Sequence, residues 1–122
     1  MKRSFFVLLF VASLSVPAFA EEVKYPGPQE GAPNVYHQIF DNERVRVSEI
    51  TFEVGQKAPM HTHAYAHTVY VLDGGTLTLT HPDGTSAAIT AKAGEVLWLE
   101  PETHEAVNTG TTKFRALVTE LK

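Results

Sequence analysis

Three of the six histidines of this 122-residue chain lie within eight residues, in the stretch MHTHAYAH from Met60 to His67. On a β-strand alternate side chains point to the same face, so His61 and His63 would lie on one side. His67 has the same parity if the strand stays regular through Ala64 and Ala66. Neutral imidazoles that converge in this way can bind Fe, Cu, Ni or Zn. The stretch therefore predicts a divalent transition-metal site.

Two other interpretations of this stretch must be weighed. On a helix, His63 and His67 would lie one turn apart, as in the metalloprotease pattern H-E-x-x-H, but no Glu lies between them and the β-rich TVYVL follows. Alternatively, the three histidines are exposed polar residues of a strand, although three on one face is a high density. A fourth candidate ligand, His104, follows Pro101 in a segment that we interpret as a loop with at most one short strand. His81, in a hairpin tip, and His37 are expected to be solvated or structural.

The elements that would position these histidines are strands. After residue 34, Val, Ile, Tyr and Phe alternate with polar residues in short runs, separated by turn signals such as Asp41-Asn42, Asp73-Gly74-Gly75 and HPDGT. No segment after residue 20 shows a sustained helical period. This spacing predicts an all-β sandwich or barrel.

Two further side chains have predicted surroundings. Trp98 is expected to be buried, and Arg46 either meets an anionic substrate or lies on a solvated face.

The first twenty residues differ from the rest of the chain. Lys2 and Arg3 precede the apolar run SFFVLLFVASLSV, and Ala18 and Ala20 form a cleavage site of the A-x-A kind. This predicts a signal peptide over residues 1–20, and the run is shorter than the roughly 20 residues that span a bilayer. We expect the protein to be exported to the periplasm or secreted. After the signal peptide we expect a Pro- and Gly-rich extended arm (21–34) and one β-barrel domain (35–122).

Charge and cysteine content exclude several functions. The net charge of −4 becomes −6 once Lys2 and Arg3 are removed, and an acidic domain is a poor ligand for nucleic acid. The chain has no Cys, so neither a disulfide nor a thiolate metal site can form. Any metal must be held by His, Asp, Glu or water. The predicted partners are a small-molecule ligand or substrate and, through edge strands or the arm, a second copy in a homodimer.

The spacing of the histidines resembles the two motifs of the cupin family. The first, G-x5-H-x-H-x3,4-E-x6-G, matches every spacing here, with His where the family has Glu: Gly55, His61, His63, His67, Gly74. The second, G-x5-P-x-G-x2-H-x3-N, matches more loosely. Its second Gly is missing, its Pro is one residue late and its first Gly is one residue closer to the His: Gly94, Pro101, His104, Asn108.

The resemblance implies a jelly-roll-type β-barrel and a metal held by His61, His63 and His104, with His67 as a fourth ligand or standing off the metal. It implies a metal-dependent enzyme, a dioxygenase, isomerase, decarboxylase or lyase, acting on a small organic acid or sugar-like molecule. The alternative is a non-catalytic periplasmic protein that binds a metal or small ligand. Replacing Glu by His leaves the charge of a dication unbalanced, which favours an anionic ligand.

Overall fold

A computed structural model of the protein describes residues 24–122, which consist mainly of strands. The predicted signal peptide, residues 1–20, lies outside the described residues. The elements in chain order are a one-turn helix followed by strands: α1 (Pro28–Gly31), β1 (Tyr36–Asp41), β2 (Val45–Phe52), β3 (Lys57–His63), β4 (His67–Asp73), β5 (Gly75–Thr80), β6 (Ser86–Ala91), β7 (Val96–Leu99), β8 (Glu102–Asn108) and β9 (Phe114–Leu121). No helix in residues 24–122 has the length and apolar character needed to cross a bilayer.

The strands form two antiparallel sheets, which confirms the all-β prediction. One sheet has the order β1-β2-β9-β4-β7 and the other β3-β8-β5-β6. The last strand therefore lies at the centre of the five-stranded sheet, paired with β2 on one side and β4 on the other. The chain must be complete through β9 before this sheet can form.

Alternation along each strand decides which side chains enter the core. In β9 every second residue is buried, namely the apolar Phe114, Ala116 and Val118 and the charged Glu120. In β2 the buried positions are Ser48, Ile50 and Phe52, which face the same interior. A period of two with one buried face is the pattern of a sheet that packs one side against a core. Glu120 and Ser48 are the polar exceptions.

Two glycines of the cupin-like motifs are required by the turns. Gly94 has φ +89°, a left-handed conformation that costs other residues steric strain, in the turn between β6 and β7. At Gly74 a Cβ would lie 2.6 Å from the carbonyl oxygen of Ala91, too close for any side chain. These glycines let the chain turn tightly around the β4–β5 and β6–β7 connections.

Three predictions of local structure are wrong. Residues 28–31 form a helical turn rather than extended chain, because Pro28 is tolerated in the first turn of a helix, where its missing N–H costs nothing. Residues 102–108 form a seven-residue strand, so His104 lies on a strand and not in a loop. Trp98 is 55% exposed, because alternation along edge strand β7 turns it outward while Leu97 and Leu99 turn inward.

Candidate metal centre

Three histidines from two paired strands form a compact cluster. His61 and His63 lie on β3, and His104 lies directly opposite His61 on β8. The side chains are buried, and each offers a nitrogen that lies within 4.8 Å of the other two. Alternation brings His61 and His63 to the same inner face, as expected from the sequence. The structure therefore brings three of the four predicted ligands close enough together to hold one metal ion.

His67 joins the cluster by a different route from the one the sequence suggested. The strand does not continue through Ala64–Ala66. β3 ends at His63 and β4 begins at His67 in the other sheet. Even so, the rings of His63 and His67 stack, with centroids 4.1 Å apart. His67 is buried but stands outside the group of three whose nitrogens all converge within 4.8 Å.

Hydrogen bonds orient the imidazoles. The Nδ1 atom of His61 bonds the carbonyl oxygen of Pro59 at 2.7 Å, and that of His67 bonds the carbonyl of Tyr65 at 3.0 Å. A carbonyl oxygen only accepts, so Nδ1 must carry the hydrogen and Nε2 keeps a free lone pair. His104 makes the equivalent bond to a carboxylate oxygen of Glu102 at 2.9 Å. Outer partners of this kind fix the tautomer and ring orientation of metal-binding histidines.

His63 is the exception, and its surroundings fit a cation. Its Nε2 lies 3.1 Å from Nε2 of His61, which has no hydrogen to donate. Without a cation, either the two Nε2 lone pairs face each other, or His63 carries its hydrogen on Nε2 and leaves its Nδ1 as a bare acceptor. This Nδ1 is the one buried side-chain polar atom in residues 24–122 without a hydrogen-bond partner. If these histidines held a cation through Nε2, the hydrogen of His63 would lie on Nδ1, which faces Glu120 Oε1 at 3.9 Å.

Burial keeps the cluster uncharged. Desolvation, followed by the other imidazoles of the cluster, lowers the pKa of His104 to about 3. Desolvation is also the main cause that lowers the pKa of His63 far below its usual range, and it lowers the pKa of His61 despite the bond to Pro59. Metal ligation requires neutral imidazole, so these side chains are ready to bind a metal at neutral pH.

Glu120 is a buried carboxylate that sequence reasoning missed. Its two oxygens accept bonds from Arg46 at 2.7 and 3.1 Å, and Gln29 of α1 donates to it at 3.1 Å. Glu120 lies opposite Arg46 on β2 and opposite His67 on β4. Arg46 is thus held by Glu120 rather than left to meet a substrate or lie on a solvated face. The signal was available in FRALVTEL, where Glu120 occupies an inward position of a strand that otherwise turns apolar residues inward.

A cavity of about 50 Å³ adjoins the cluster and lies between the two sheets. His63, His67 and His104 form part of its wall, beside Tyr36. The hydroxyl of Tyr36 lies 3.4 Å from Nε2 of His63. Burial, followed by the nearby carboxylate of Glu120, raises the pKa of Tyr36 well above its usual range, so this hydroxyl stays protonated. The rest of the wall is apolar: Ile50, Phe52, Val69, Leu77, Leu79, Ile89, Leu97, Leu99, Ala106, Phe114 and Val118.

The other histidines and motif residues have structural surroundings. His81 is half-buried in the β5–β6 hairpin, where its Nδ1 bonds the carbonyl of Thr103 at 3.0 Å, and His37 is exposed. Asn108, the last residue of the second motif, donates to the carbonyls of Phe52 and Thr112. It therefore fixes the ends of strands rather than facing the cavity.

A family model described as "Cupin domain" matches residues 48–120, and the chain belongs to the cupin family. The matched segment contains Glu120, the three histidines of the cluster and His67. No curated protein matches the sequence in a direct comparison.

Solved structures with the same fold include cupins from several bacteria. A cupin domain from Bordetella pertussis is 29% identical, with a TM-score of 0.66, over 83% of this chain and 99% of that one. A protein with a double-stranded β-helix domain from Klebsiella pneumoniae is 20% identical, with a TM-score of 0.59, over 84% and 90%. The polyketide cyclase RemF from Streptomyces resistomycificus is 25% identical, with a TM-score of 0.56, over 81% and 70%.

Proposed function

We propose that this cupin binds one divalent transition-metal ion through Nε2 of His61, His63 and His104, and that the ion serves an enzyme acting on a small molecule. The observation that carries the proposal is the pair of Nε2 atoms 3.1 Å apart, together with the unpartnered Nδ1 of His63. A cation held by both Nε2 atoms would relieve the contact between their lone pairs and would place the hydrogen of His63 on Nδ1, towards the Glu120 carboxylate. When bound, such a metal acts as a Lewis acid or supports oxygen chemistry.

Glu120 supplies the negative charge that the cupin motif normally places among the ligands. In this chain the motif's Glu is His67, and four neutral imidazoles leave a dication unbalanced. Glu120 lies behind His63 with its Oε1 3.9 Å from Nδ1, so its negative charge acts on the ring through space rather than through a hydrogen bond. A carboxylate in this position raises the basicity of the ligating imidazole. Arg46 and Gln29 hold the carboxylate in place.

The adjoining cavity favours an enzyme over a protein that only holds metal. His63, His67 and His104 all line it, so a ligand in the cavity lies against the cluster. Tyr36 offers a hydroxyl hydrogen beside His63, which can hold a ligand oxygen in place. The polyketide cyclase RemF, at 25% identity, shows that an enzyme occurs among similar structures. A non-catalytic metal-binding protein is the alternative, and it requires His67 to close the coordination shell.

Elemental analysis of the purified mature protein, prepared without chelator or affinity tag, tests the metal proposal. We expect about one equivalent of Fe, Cu, Ni or Zn, and its loss in a His61→Ala/His63→Ala variant. His81→Ala is the matched control, because His81 is half-buried in the turn that joins β5 and β6 but lies outside the group of three. If the wild type stays metal-free after refilling with each ion, the metal proposal is wrong.

We also propose that the protein is exported after cleavage near Ala20 and forms a homodimer. Export rests on the composition of residues 1–20. Dimer formation is supported by exposed apolar residues on the outer face of β4 and edge strand β7, where Tyr70 pairs with Val96 and Trp98 lies nearby. N-terminal sequencing of the periplasmic fraction tests export. A monomeric mass by light scattering at tens of micromolar would rule out the dimer.

A further inference from the structure

The cavity wall beside the histidines offers almost no polar partners to a ligand. Of its lining residues, only Tyr36 and the three histidines carry side-chain polar atoms. Within the part of the chain that the structure describes, the lining contains no Asp, Glu, Lys or Arg and no Ser, Thr, Asn or Gln. Arg46, the cation of the adjacent network, is engaged by Glu120. Polar recognition is therefore confined to one end of the cavity.

We propose that the ligand is a small, predominantly apolar molecule with a single oxygen-bearing head group, anionic when it binds, that meets the metal at the histidine cluster. This inference rests on the proposed metal site and names the substrate class for it. The head group lies against His63, His67 and His104, and the apolar body packs against the aliphatic wall. A sugar or a dicarboxylic acid is disfavoured.

The ligand is expected to be polar only at its head group because burying a polar group without a hydrogen-bond partner is energetically unfavourable. A hydroxyl or a second carboxylate placed against the aliphatic wall would lose its hydrogen bonds to water and gain none. At the other end, a dication among neutral imidazoles attracts one negative charge. Tyr36 Oη, 3.4 Å from His63 Nε2, adds one hydrogen-bond donor for the same head group. The site thus provides for one polar group and no more.

The size of the cavity limits the ligand further. Its 50 Å³ would hold about three to five waters if one water needs 10–15 Å³ by the same kind of measure. A volume of this order favours a ligand whose head group carries a short hydrocarbon chain. The wall residues that are only partly buried are Leu77, Ile89, Leu97 and Leu99.

Titration of the cobalt(II)-loaded protein with acetate, propionate, butyrate and succinate tests the proposal, followed by the visible absorption of the metal. Burying a methylene contributes about 0.8 kcal/mol, so affinity should rise about fourfold with each added CH₂ from acetate to butyrate. Succinate has the same carbon count as butyrate but carries a second carboxylate, and it should bind at least about tenfold more weakly. A flat series, or succinate binding as tightly as butyrate, would overturn the assignment.

A cavity-filling variant distinguishes the contribution of the apolar wall to ligand binding from the contribution of the metal. Ala106→Val adds two methyl groups to a lining residue on β8 and should abolish the gain from acetate to butyrate while acetate binding persists. Ala88→Val is the control, because Ala88 is exposed on β6 and is not among the lining residues. Cobalt content is measured first on each sample. One equivalent with a flat series refutes the ligand class alone, whereas a protein that takes up no cobalt refutes the metal site and this inference together.

Discussion

Glu120→Gln is the substitution that examines the buried network most directly. The change keeps the shape of the side chain and removes its charge. In the native protein Arg46 donates two bonds to the carboxylate, at 2.7 and 3.1 Å, and Glu120 is 1% exposed against 23% for Arg46. A hydrogen bond to a charged group contributes about 1.5–3 kcal/mol. Glutamine retains one acceptor oxygen, and Arg46 recovers part of its hydration, so the free energy of unfolding should fall by about 2–3 kcal/mol.

The chain supplies a matched control for this measurement. Glu49 and Arg115 form a pair on the same two strands, at 2.7 Å, but with 34% and 38% of their side chains exposed. Exposed pairs contribute less than about 1 kcal/mol, so Glu49→Gln should change the unfolding free energy by no more than that. Urea denaturation of the metal-free proteins gives both values. Equal losses for Glu120→Gln and Glu49→Gln would refute the idea that burial makes the Arg46 pair strong.

A double-mutant cycle removes the remaining ambiguity. Arg46→Met alone leaves the Glu120 carboxylate buried without its cation, which should cost about 3–5 kcal/mol. In the Arg46→Met/Glu120→Gln double variant no buried charge remains, so its loss should be about 2 kcal/mol smaller than the sum of the single losses. Glu120→Gln should also weaken metal binding in a competition assay, because the negative charge 3.9 Å from Nδ1 of His63 is removed. Unchanged metal affinity would limit Glu120 to a structural role.

Three further outcomes are expected. The pKa of His104 is lowered to about 3 in the folded protein, so between about pH 6.5 and pH 3 the unfolded chain binds a proton there that the folded protein does not. The free energy of unfolding should therefore fall as the pH drops below about 6.5, by about 2 kcal/mol at pH 5. Urea titrations of metal-free wild type and His104→Gln check this, and an equal pH dependence would contradict it. Gly94→Ala should cost about 1–2 kcal/mol from its φ of +89°, whereas Gly27→Ala, at φ −63°, should cost less than about 0.5 kcal/mol, both by thermal melting. Trp98→Ser should change the unfolding free energy of dilute, monomeric protein by less than about 0.5 kcal/mol, because Trp98 is 55% exposed in the single chain, and a larger loss in urea would indicate a buried environment.

The positions of the strands in the sequence, and which face of each strand is buried, could be predicted because both depend on residues that are close together in the sequence. Alternation of apolar and polar residues placed His61 and His63 on one inner face without knowledge of their neighbours. The hairpin at HPDGT and the turn at Gly94 were likewise predictable from residues that favour turns. His104 could be connected to them only through the resemblance to the cupin motifs, because its pairing opposite His61 joins residues 43 positions apart.

The Glu120 network could not be predicted because it depends on which strands become neighbours. Arg46 and Glu120 are 74 residues apart, and Gln29 and Glu120 are 91 apart. Alternation indicates that Glu120 faces inward but does not identify its partner.

The burial of Trp98 was predicted wrongly for a related reason. Its size favours burial, but its position on an edge strand turns it outward, while the smaller Leu97 and Leu99 fill the cavity wall.

The central position of β9 has a consequence for how the protein matures. Its two neighbours, β2 and β4, cannot pair with each other across the gap that it fills, so a nascent chain that ends before residue 114 has every histidine of the cluster but no closed sheet. Contacts of such long sequence separation form late and slow the folding rate. The ligand set should therefore acquire its native affinity only after the C-terminal strand has been inserted. Metal capture would then mark the end of folding rather than its beginning.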